Sequence, residues 1–430
     1  MTSYADFLAR KVDQVPSAGE PIPATAVNNY LHDWQRELTA WAVRTGRAAI
    51  WADTGLGKTL MQIEWARLSG ERALIVAPLA VCHQTVREAR KVDVDARYLR
   101  QDDGQPGIIV TNYEMADRFD ASTLDAVVLD ESSILKDVTS KTRDFLIEHF
   151  AATPRRLACT ATPAPNDASE LANHAEFLGV ATRREMLSTY FVHDQDGWRP
   201  KGHARGPMYA WMASWAAAVR KPSDLGYDDA GYDLPGLSIV SHLVRVDIER
   251  EGDLMPVGLG GVSGRAEVRR LTLEDRCQRA ADIVRSEPGE PWVLWCGLNA
   301  EAERLAELIP EAVNVQGSDH PQAKADALLD FADGATRVLI TKPSIAAFGL
   351  NWQHCARTAF VGLSDSYEAY YQAIRRFYRY GQTREVQAHI VLSEIEQEIA
   401  TNVRRKEEQA ATFTAELVDA MRAAGHWRAA

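Results

Sequence analysis

Three stretches of this 430-residue sequence place chemically capable side chains at informative spacings. The first is ADTGLGKT at 52–59, which follows the apolar run RAAIWAD and leads straight into the helical pattern KTLMQIEWARLS. Strand, glycine loop and helix in that order let backbone N–H groups and a helix N-terminus cradle phosphates. Gly55 and Gly57 would let the chain curl round a polyphosphate, Lys58 would reach its β and γ phosphates, and Thr59 would ligate magnesium. Ala52 stands where the general pattern has its first glycine, so on its own this match competes with a chance glycine turn. The second stretch is VVLDES, where Asp130 and Glu131 close an apolar strand downstream of the loop. Asp130 is placed to hold a metal and Glu131 to polarise an attacking water, against the plainer reading of two solvated strand-end carboxylates. The third is QAIRRFYRYGQ at 372–382, whose arginines would by themselves describe a basic helical face. Gln35, 23 residues before Lys58, offers an amide donor and acceptor that complement adenine, although most glutamines are simply exposed.

These side chains need a scaffold, and the hydrophobic pattern supplies one. Between 47 and 163 the runs RAAIWAD, RALIVAP, IIVTNYE, LDAVVLDE and RRLACTATP read as buried strands, separated by helical patterns such as VCHQTVREARKV and KTRDFLIEHF. Strand and helix in alternation predict a parallel sheet covered on both faces. A second alternating series runs from WVLWCG at 292 through RVLITK, RTAFVGL and VQAHIVL, so the fold class is α/β with two lobes. The expected divisions are an N-terminal lobe at 1–179, a helical insertion or linker at 180–235, a C-terminal lobe at 236–396 and a helical tail at 397–430. Within the insertion MYAWMASWAAAVRK reads as one helix, and the glycine-rich MPVGLGGVSGRAE is expected to be a mobile loop. The charged tail reads most simply as a packing element.

Composition narrows the partners. With 46% hydrophobic and 25% charged residues the chain is globular rather than disordered or fibrous. Lys+Arg 48 against Asp+Glu 60 leaves a net charge of −12, which excludes a polycation that coats nucleic acid and confines phosphate contact to local clusters. No run approaches the roughly 18 apolar residues of a membrane span, and the charged N-terminus does not read as a signal peptide, so a cytoplasmic protein is expected. Five scattered cysteines argue for core thiols rather than disulfides or zinc, and His193 and His203 lack metal-ligand spacing.

Taken together, the motifs from about Tyr30 to Leu392 resemble superfamily 2 helicases and translocases, most closely the Swi/Snf-type ATPases. Gln35 matches the family's adenine-reading glutamine, ADTGLGKT its motif I, LIVAPLAVCHQ motif Ia, IIVTNYEMA motif Ib, DESS motif II and TATP motif III. ITKPSIAAFGLNWQHC resembles motif V, and Gln372, Arg376, Arg379, Gly381 and Gln382 fall on the fixed positions of motif VI, with Arg375 outside them. The resemblance implies two RecA-like lobes with a helical insertion and a C-terminal helix, ATP and Mg2+ as cofactors, and DNA-dependent ATP hydrolysis. It assigns Lys58, Glu131, Arg376 and Arg379 to catalysis, the arginines stabilising charge on the γ phosphate. Gln35, Thr54, Gly55, Leu56, Gly57, Lys58, Thr59, Gly349 and Gln372 would bind the nucleotide, and Thr59 and Asp130 the metal. Thr160 and Thr162 would couple nucleotide state to lobe closure, while Asn351, Thr111 and Tyr113 would contact the DNA backbone, Tyr113 being equally suited to the core. Trp352 could stack on a base, but packing is preferred.

The sequence also departs from the family. Ser133 stands where histidine or aspartate is usual, TATP replaces TGTP, and SDSYEAYYQ replaces a Trp-Asn pair before motif VI, which speaks against nucleosome-type remodelling. YFVHDQDGWRPKGHA resembles phage-encoded helicases. The expected partners are duplex, forked or branched DNA, with RNA the weaker choice, no membrane, and replication or recombination proteins beyond the DNA. Strand separation and duplex translocation remain open, as does a motor subunit or scaffold of a larger nuclease or modification complex.

Overall fold

The computed structural model describes residues 15–195, 197–245, 269–346, 351–362 and 366–425. It divides into two compact units, Met1–Tyr232 with Glu408–Ala430 and Asp233–Glu407.

The first unit contains β1 (Arg47–Ala52), β2 (Arg72–Ala77), β3 (Ala96–Tyr98), β4 (Gly107–Asn112), β5 (Ala126–Asp130), β6 (Arg155–Cys159), β7 (Phe191–Asp194), β8 (Gly197–Pro200) and β9 (Ala216–Val219). All but β7 and β8 form a seven-stranded sheet in the order β3-β4-β2-β5-β6-β1-β9, and every pairing in it is parallel. RALIVA and AVVLD are buried at every position, as central parallel strands covered on both faces must be. The helices are α1 (Asp33–Thr45), α2 (Lys58–Leu68), α3 (Leu79–Lys91), α4 (Lys141–His149), α5 (Leu171–Leu178), α6 (Arg183–Tyr190) and α7 (Arg205–Met212). Because the strands run one way, ADTGLGKT and the residues after β2, β4, β5 and β6 all emerge at one edge of the sheet. Register aligns Asp130 with Cys159 and Cys159 with Ile50 in a single row across that edge.

The second unit holds β10 (Leu237–Val244), β11 (Trp292–Trp295), β12 (Val313–Asn314), β13 (Val338–Thr341), β14 (Arg357–Phe360) and β15 (Val386–Ser393). They make a six-stranded parallel sheet in the order β10-β15-β14-β11-β13-β12. Around it lie α8 (Leu273–Ser286), α9 (Asn299–Leu308), α10 (Pro321–Ala332), α11 (Pro343–Ala346) and α12 (Tyr367–Ile374). A fully buried ion pair, Arg276 to Glu301 at 2.6 Å, ties α8 to α9. Glu301 also accepts the backbone N–H groups of Gly297 and Leu298, and Arg276 donates to the Val361 carbonyl, so one pair fixes the chain just beyond β11 and β14.

The last helix, α13 (Gln397–Ala423), begins in the second unit, where Ile399 and Val403 are buried. From Glu408 it belongs to the first, where Leu417, Val418 and Met421 join the core and Phe413 packs on Trp51 and Tyr209.

Two expectations need correction. Residues 180–232 are part of the first unit rather than a separate insertion or linker, because β9 adds a strand to its sheet beside β1. MYAWMASWAAAVRK is accordingly not one helix: α7 stops at Met212, and Ala216–Val219 are extended and fully buried. Alanine favours helices, but pairing with β1 on a buried edge outweighs a propensity of a few tenths of a kcal/mol. The glycine-rich loop read at 255–267 lies outside the described residues.

Candidate nucleotide and metal site

β1 ends at Ala52 and α2 begins at Lys58, with the glycine loop between them. Gly55 and Gly57 take φ of 84° and 75°, the left-handed region that side chains disfavour. Gly57 is held further by a neighbour, since a Cβ there would meet the Gln35 amide nitrogen at 2.4 Å. Gln35, buried on α1, donates from Nε2 to the Leu56 carbonyl at 2.9 Å and accepts from the His32 N–H at 2.8 Å. The residue expected to read adenine thus holds the loop with its donor and caps the start of its own helix with its acceptor. Leu56 is buried beneath the loop, and the Thr54 N–H donates to Asp53 Oδ1. Lys58 Nζ donates to the Ala52 and Asp53 carbonyls at 2.7 and 3.2 Å, which leaves one ammonium proton for a ligand. Thr59 follows in the first turn of α2, where N–H groups and helix dipole favour an anion.

Across the edge, Asp130 is 5% exposed and its Oδ1 accepts from Gln62 Nε2 at 2.7 Å and from the Glu131 N–H at 3.1 Å. Burial raises its pKa, while the Gln62 hydrogen bond and the Lys58 charge pull the other way. Glu131 has φ of 54°, a left-handed backbone that costs a non-glycine residue about 1–2 kcal/mol. Thr160 donates to Glu131 Oε2 at 3.3 Å, and its own hydroxyl accepts the Thr162 N–H at 3.1 Å. The expected motif II and motif III residues are therefore joined by a hydrogen bond within one lobe. Ser133, at the position where the sequence departs from the family, donates weakly to the Glu131 carbonyl at 3.5 Å.

The two hydroxyls expected on DNA are occupied inside the lobe. Thr111 is buried and donates to the Leu99 carbonyl at 2.8 Å. Tyr113 donates to the Asp130 carbonyl at 2.6 Å, and burial beside Asp130 and Glu131 raises its phenol pKa. Their geometry is that of supports for β4 and for the Asp130–Glu131 turn.

In the second unit Gln372 and Arg376 are buried and Arg379 is half-buried. The Trp352 N–H donates to the Arg376 carbonyl at 3.0 Å, which links the segment after Asn351 to the arginine turn. Asn351 is exposed, and Gly349 lies outside the described residues. Gly381 has φ of 90°, and Gln382 donates to the Cys355 and Phe377 carbonyls while accepting from the Thr383 and Arg384 N–H groups, so it acts as a bracket for this turn. Arg375 lies over the rings of Tyr371 and Tyr378 at 4.9 and 5.3 Å, in keeping with a structural arginine. Trp352 is fully buried among Trp295, Phe331 and Phe377 and packs rather than stacks on a base.

The first unit's donor set suits a hard divalent cation, which prefers oxygen ligands. Asp130 supplies a carboxylate, Thr59 a hydroxyl at the loop, and Gln62 Oε1 is a buried acceptor without a hydrogen-bond partner among the described residues. Gln62 is the site residue that motif reading misses. Its signal in the sequence is a polar residue one helical turn after Lys58, flanked by Met61 and Ile63.

No family model and no curated relative matches the sequence. Solved structures do. The SWI2/SNF2 ATPase core of Sulfolobus solfataricus, in complex with dsDNA, is similar at 18% identity over 89% of this chain and 93% of that one, with a TM-score of 0.45. A fragment of a putative HsdR subunit of a type I restriction enzyme from Vibrio vulnificus YJ016 is similar at 15% identity over 90% of this chain and 68% of that one, with a TM-score of 0.56. The second comparison bears out the expected fold, two RecA-like lobes of parallel strands flanked by helices. The phage-type likeness of residues 190–204 finds no support in these neighbours; most of that segment forms the β7–β8 hairpin, in which His193 faces Trp198.

Proposed function

We propose that this chain is a DNA-dependent ATPase, a motor that couples ATP hydrolysis to movement along duplex or branched DNA. The observation that carries the reading is one sheet edge at which the Gly57–Lys58 loop, Asp130, Glu131 and Thr160 converge, with Gln35 holding the loop and Thr160 holding Glu131. Lys58 binds the β and γ phosphates, with Thr54, Gly55, Leu56 and Gly57 shaping the loop and Gln35 setting it against the base. Thr59 and Asp130 hold Mg2+, which when bound neutralises phosphate charge. Glu131 orients and polarises the attacking water. Arg376 and Arg379 supply positive charge to the γ phosphate, Gln372 and Gly349 complete the nucleotide contacts, and Asn351 meets the nucleic-acid backbone. Thr160 and Thr162 carry the change at Glu131 into β6 and the rest of the lobe.

No described helix is long and apolar enough to cross a membrane. With a net charge of −12, DNA contact is confined to few phosphates, which predicts a salt slope of roughly −0.9 per phosphate neutralised. The test is phosphate release by the purified chain with single-stranded, duplex, forked and branched DNA and with RNA. Stimulation by DNA is expected, and equal rates with and without it would overturn the motor reading. Displacement of a third strand from blunt duplex, compared with displacement on a fork, separates translocation from unwinding.

A second reading, a motor subunit of a larger nuclease or modification complex, is favoured by the likeness to a protein named as a restriction-enzyme subunit. It predicts DNA-stimulated ATPase without strand displacement, and co-purification with a separate nuclease or methyltransferase chain.

A further inference from the structure

Gln62 is fully buried on α2 although its side chain is polar. It lies four residues after Lys58, so both side chains leave the same face of the helix. Lys58 lies at the loop, and Gln62 donates to Asp130 Oδ1 at 2.7 Å. The same carboxylate oxygen accepts the Glu131 N–H at 3.1 Å. Two donors on Oδ1 direct the cation-binding capacity of Asp130 to Oδ2. Because the amide is neutral, it orients the carboxylate without cancelling the negative charge a cation needs, as an arginine or lysine would. The other amide atom, Oε1, is a buried acceptor with no hydrogen-bond partner among the described residues, while the amide also lies against the buried Cys159 thiol. A buried polar group left half-satisfied is a cost, which makes a purely structural role a poor explanation.

We propose that Gln62 is a positioning residue for the metal: it locks the Asp130 carboxylate in the rotation that presents Oδ2 to Mg2+ and ties that presentation to the helix that starts at the phosphate loop. Phosphate binding at the N-terminus of α2 and metal binding at the end of β5 are thereby held in fixed relation by one rigid helical turn. The inference rests on the proposed nucleotide site and adds to it a residue that no phosphate-loop motif contains.

The test titrates Mg2+ against binding of a fluorescent ADP, a readout separate from turnover. Gln62→Met removes the donor at nearly constant volume, and Gln62→Asn withdraws the amide by one methylene. Loss of a group that orients a metal ligand costs about 10- to 100-fold in metal affinity. The Mg2+ midpoint of either folded variant should therefore rise by about tenfold or more, while nucleotide binding in EDTA stays near wild type. In an Asp130→Asn background the same substitution should add nothing, since the effect passes through that carboxylate. An unchanged midpoint in a folded variant, or full additivity with Asp130→Asn, overturns the inference while leaving the site intact. A wild-type chain that binds no nucleotide at any Mg2+ concentration overturns the proposed function instead.

Discussion

A Cβ added to Gly57 would fall 2.4 Å from the amide nitrogen of Gln35, the atom that donates to the Leu56 carbonyl. Two separate costs then attach to Gly57→Ala: the left-handed φ of 75°, about 1–2 kcal/mol, and the collision with Gln35. The variant should bind fluorescent nucleotide about tenfold more weakly or worse, since about 1.4 kcal/mol is a factor of ten. Adding Gln35→Ala removes the collision but not the backbone cost. The double variant should lose less stability than the sum of the two single variants, and strict additivity would show that Gln35 does not constrain the loop.

Glu131 and Lys58 should separate chemistry from binding. Glu131→Gln keeps a side-chain oxygen to accept the Thr160 hydroxyl and leaves the phosphate loop untouched, so nucleotide binding should persist. Removing a general base costs about 10²–10⁴ in rate, and phosphate release should fall by that much. Lys58→Ala should lose turnover and most of the affinity together. If it still turned over ATP at the wild-type rate, this loop would have no part in the mechanism.

Tyr113 distinguishes a support from a DNA contact. Its hydroxyl donates to the Asp130 carbonyl at 2.6 Å in a partly buried setting. Tyr113→Phe leaves that carbonyl without its partner, costing about 1–3 kcal/mol. At roughly 2–4 °C per kcal/mol for a unit of this size, the melting temperature should drop measurably. DNA affinity and its salt slope should not move. A slope smaller by about one phosphate, with the melting temperature unchanged, would instead return the hydroxyl to the DNA backbone.

Much of this architecture is legible in the residues themselves, and the exceptions have physical reasons. The five strands expected between 47 and 163 occur within a few residues of their predicted bounds, because apolar runs that end in Gly, Pro or carboxylates leave little choice of structure. The loop glycines, Asp130 and Glu131 could be placed because parallel strands deliver their C-terminal ends to one edge. β9 could not, since AAAV reads as helix until a partner strand is known. Gln62 and Gln382 escaped a chemical reading for a related reason: what they do depends on Asp130, and on the Cys355 and Phe377 carbonyls, all of which are brought near by the fold. At Thr111 and Tyr113 a motif position suggests a DNA contact, and the fold adds an internal hydrogen-bond partner that the residues alone do not reveal.

Acid should weaken both units through buried histidines. His174, against Trp51 in the first unit, accepts or donates at Nε2 with the Pro163 carbonyl; a carbonyl can only accept, so Nε2 carries the proton. In the second unit Arg279 donates to His242 Nδ1 at 3.1 Å, so His242 carries its proton on Nε2 and donates to His389 Nδ1 at 2.9 Å. Both partners are thus neutral as drawn by their hydrogen bonds. Burial first lowers His174 and His389 to about 4; at His389 the Arg357 and Arg279 charges, and His242 once it is protonated, act in the same direction while Glu287 opposes them. The unfolded chain takes up these protons near pH 6.5 and the folded chain does not until about pH 4. Stability is therefore fully present above about pH 6.5 and is lost progressively as pH falls toward 4, by on the order of 3 kcal/mol for the fully buried His174 and by less for the more solvated His389. Melting temperatures should be flat from pH 8 to 7 and fall steeply between roughly 6.5 and 4.5. His174→Gln keeps a donor for the Pro163 carbonyl but cannot titrate. Whatever its melting temperature at neutral pH, its decline in acid should be shallower than that of wild type. Parallel declines in the two proteins would mean that His174 is not held neutral by the fold.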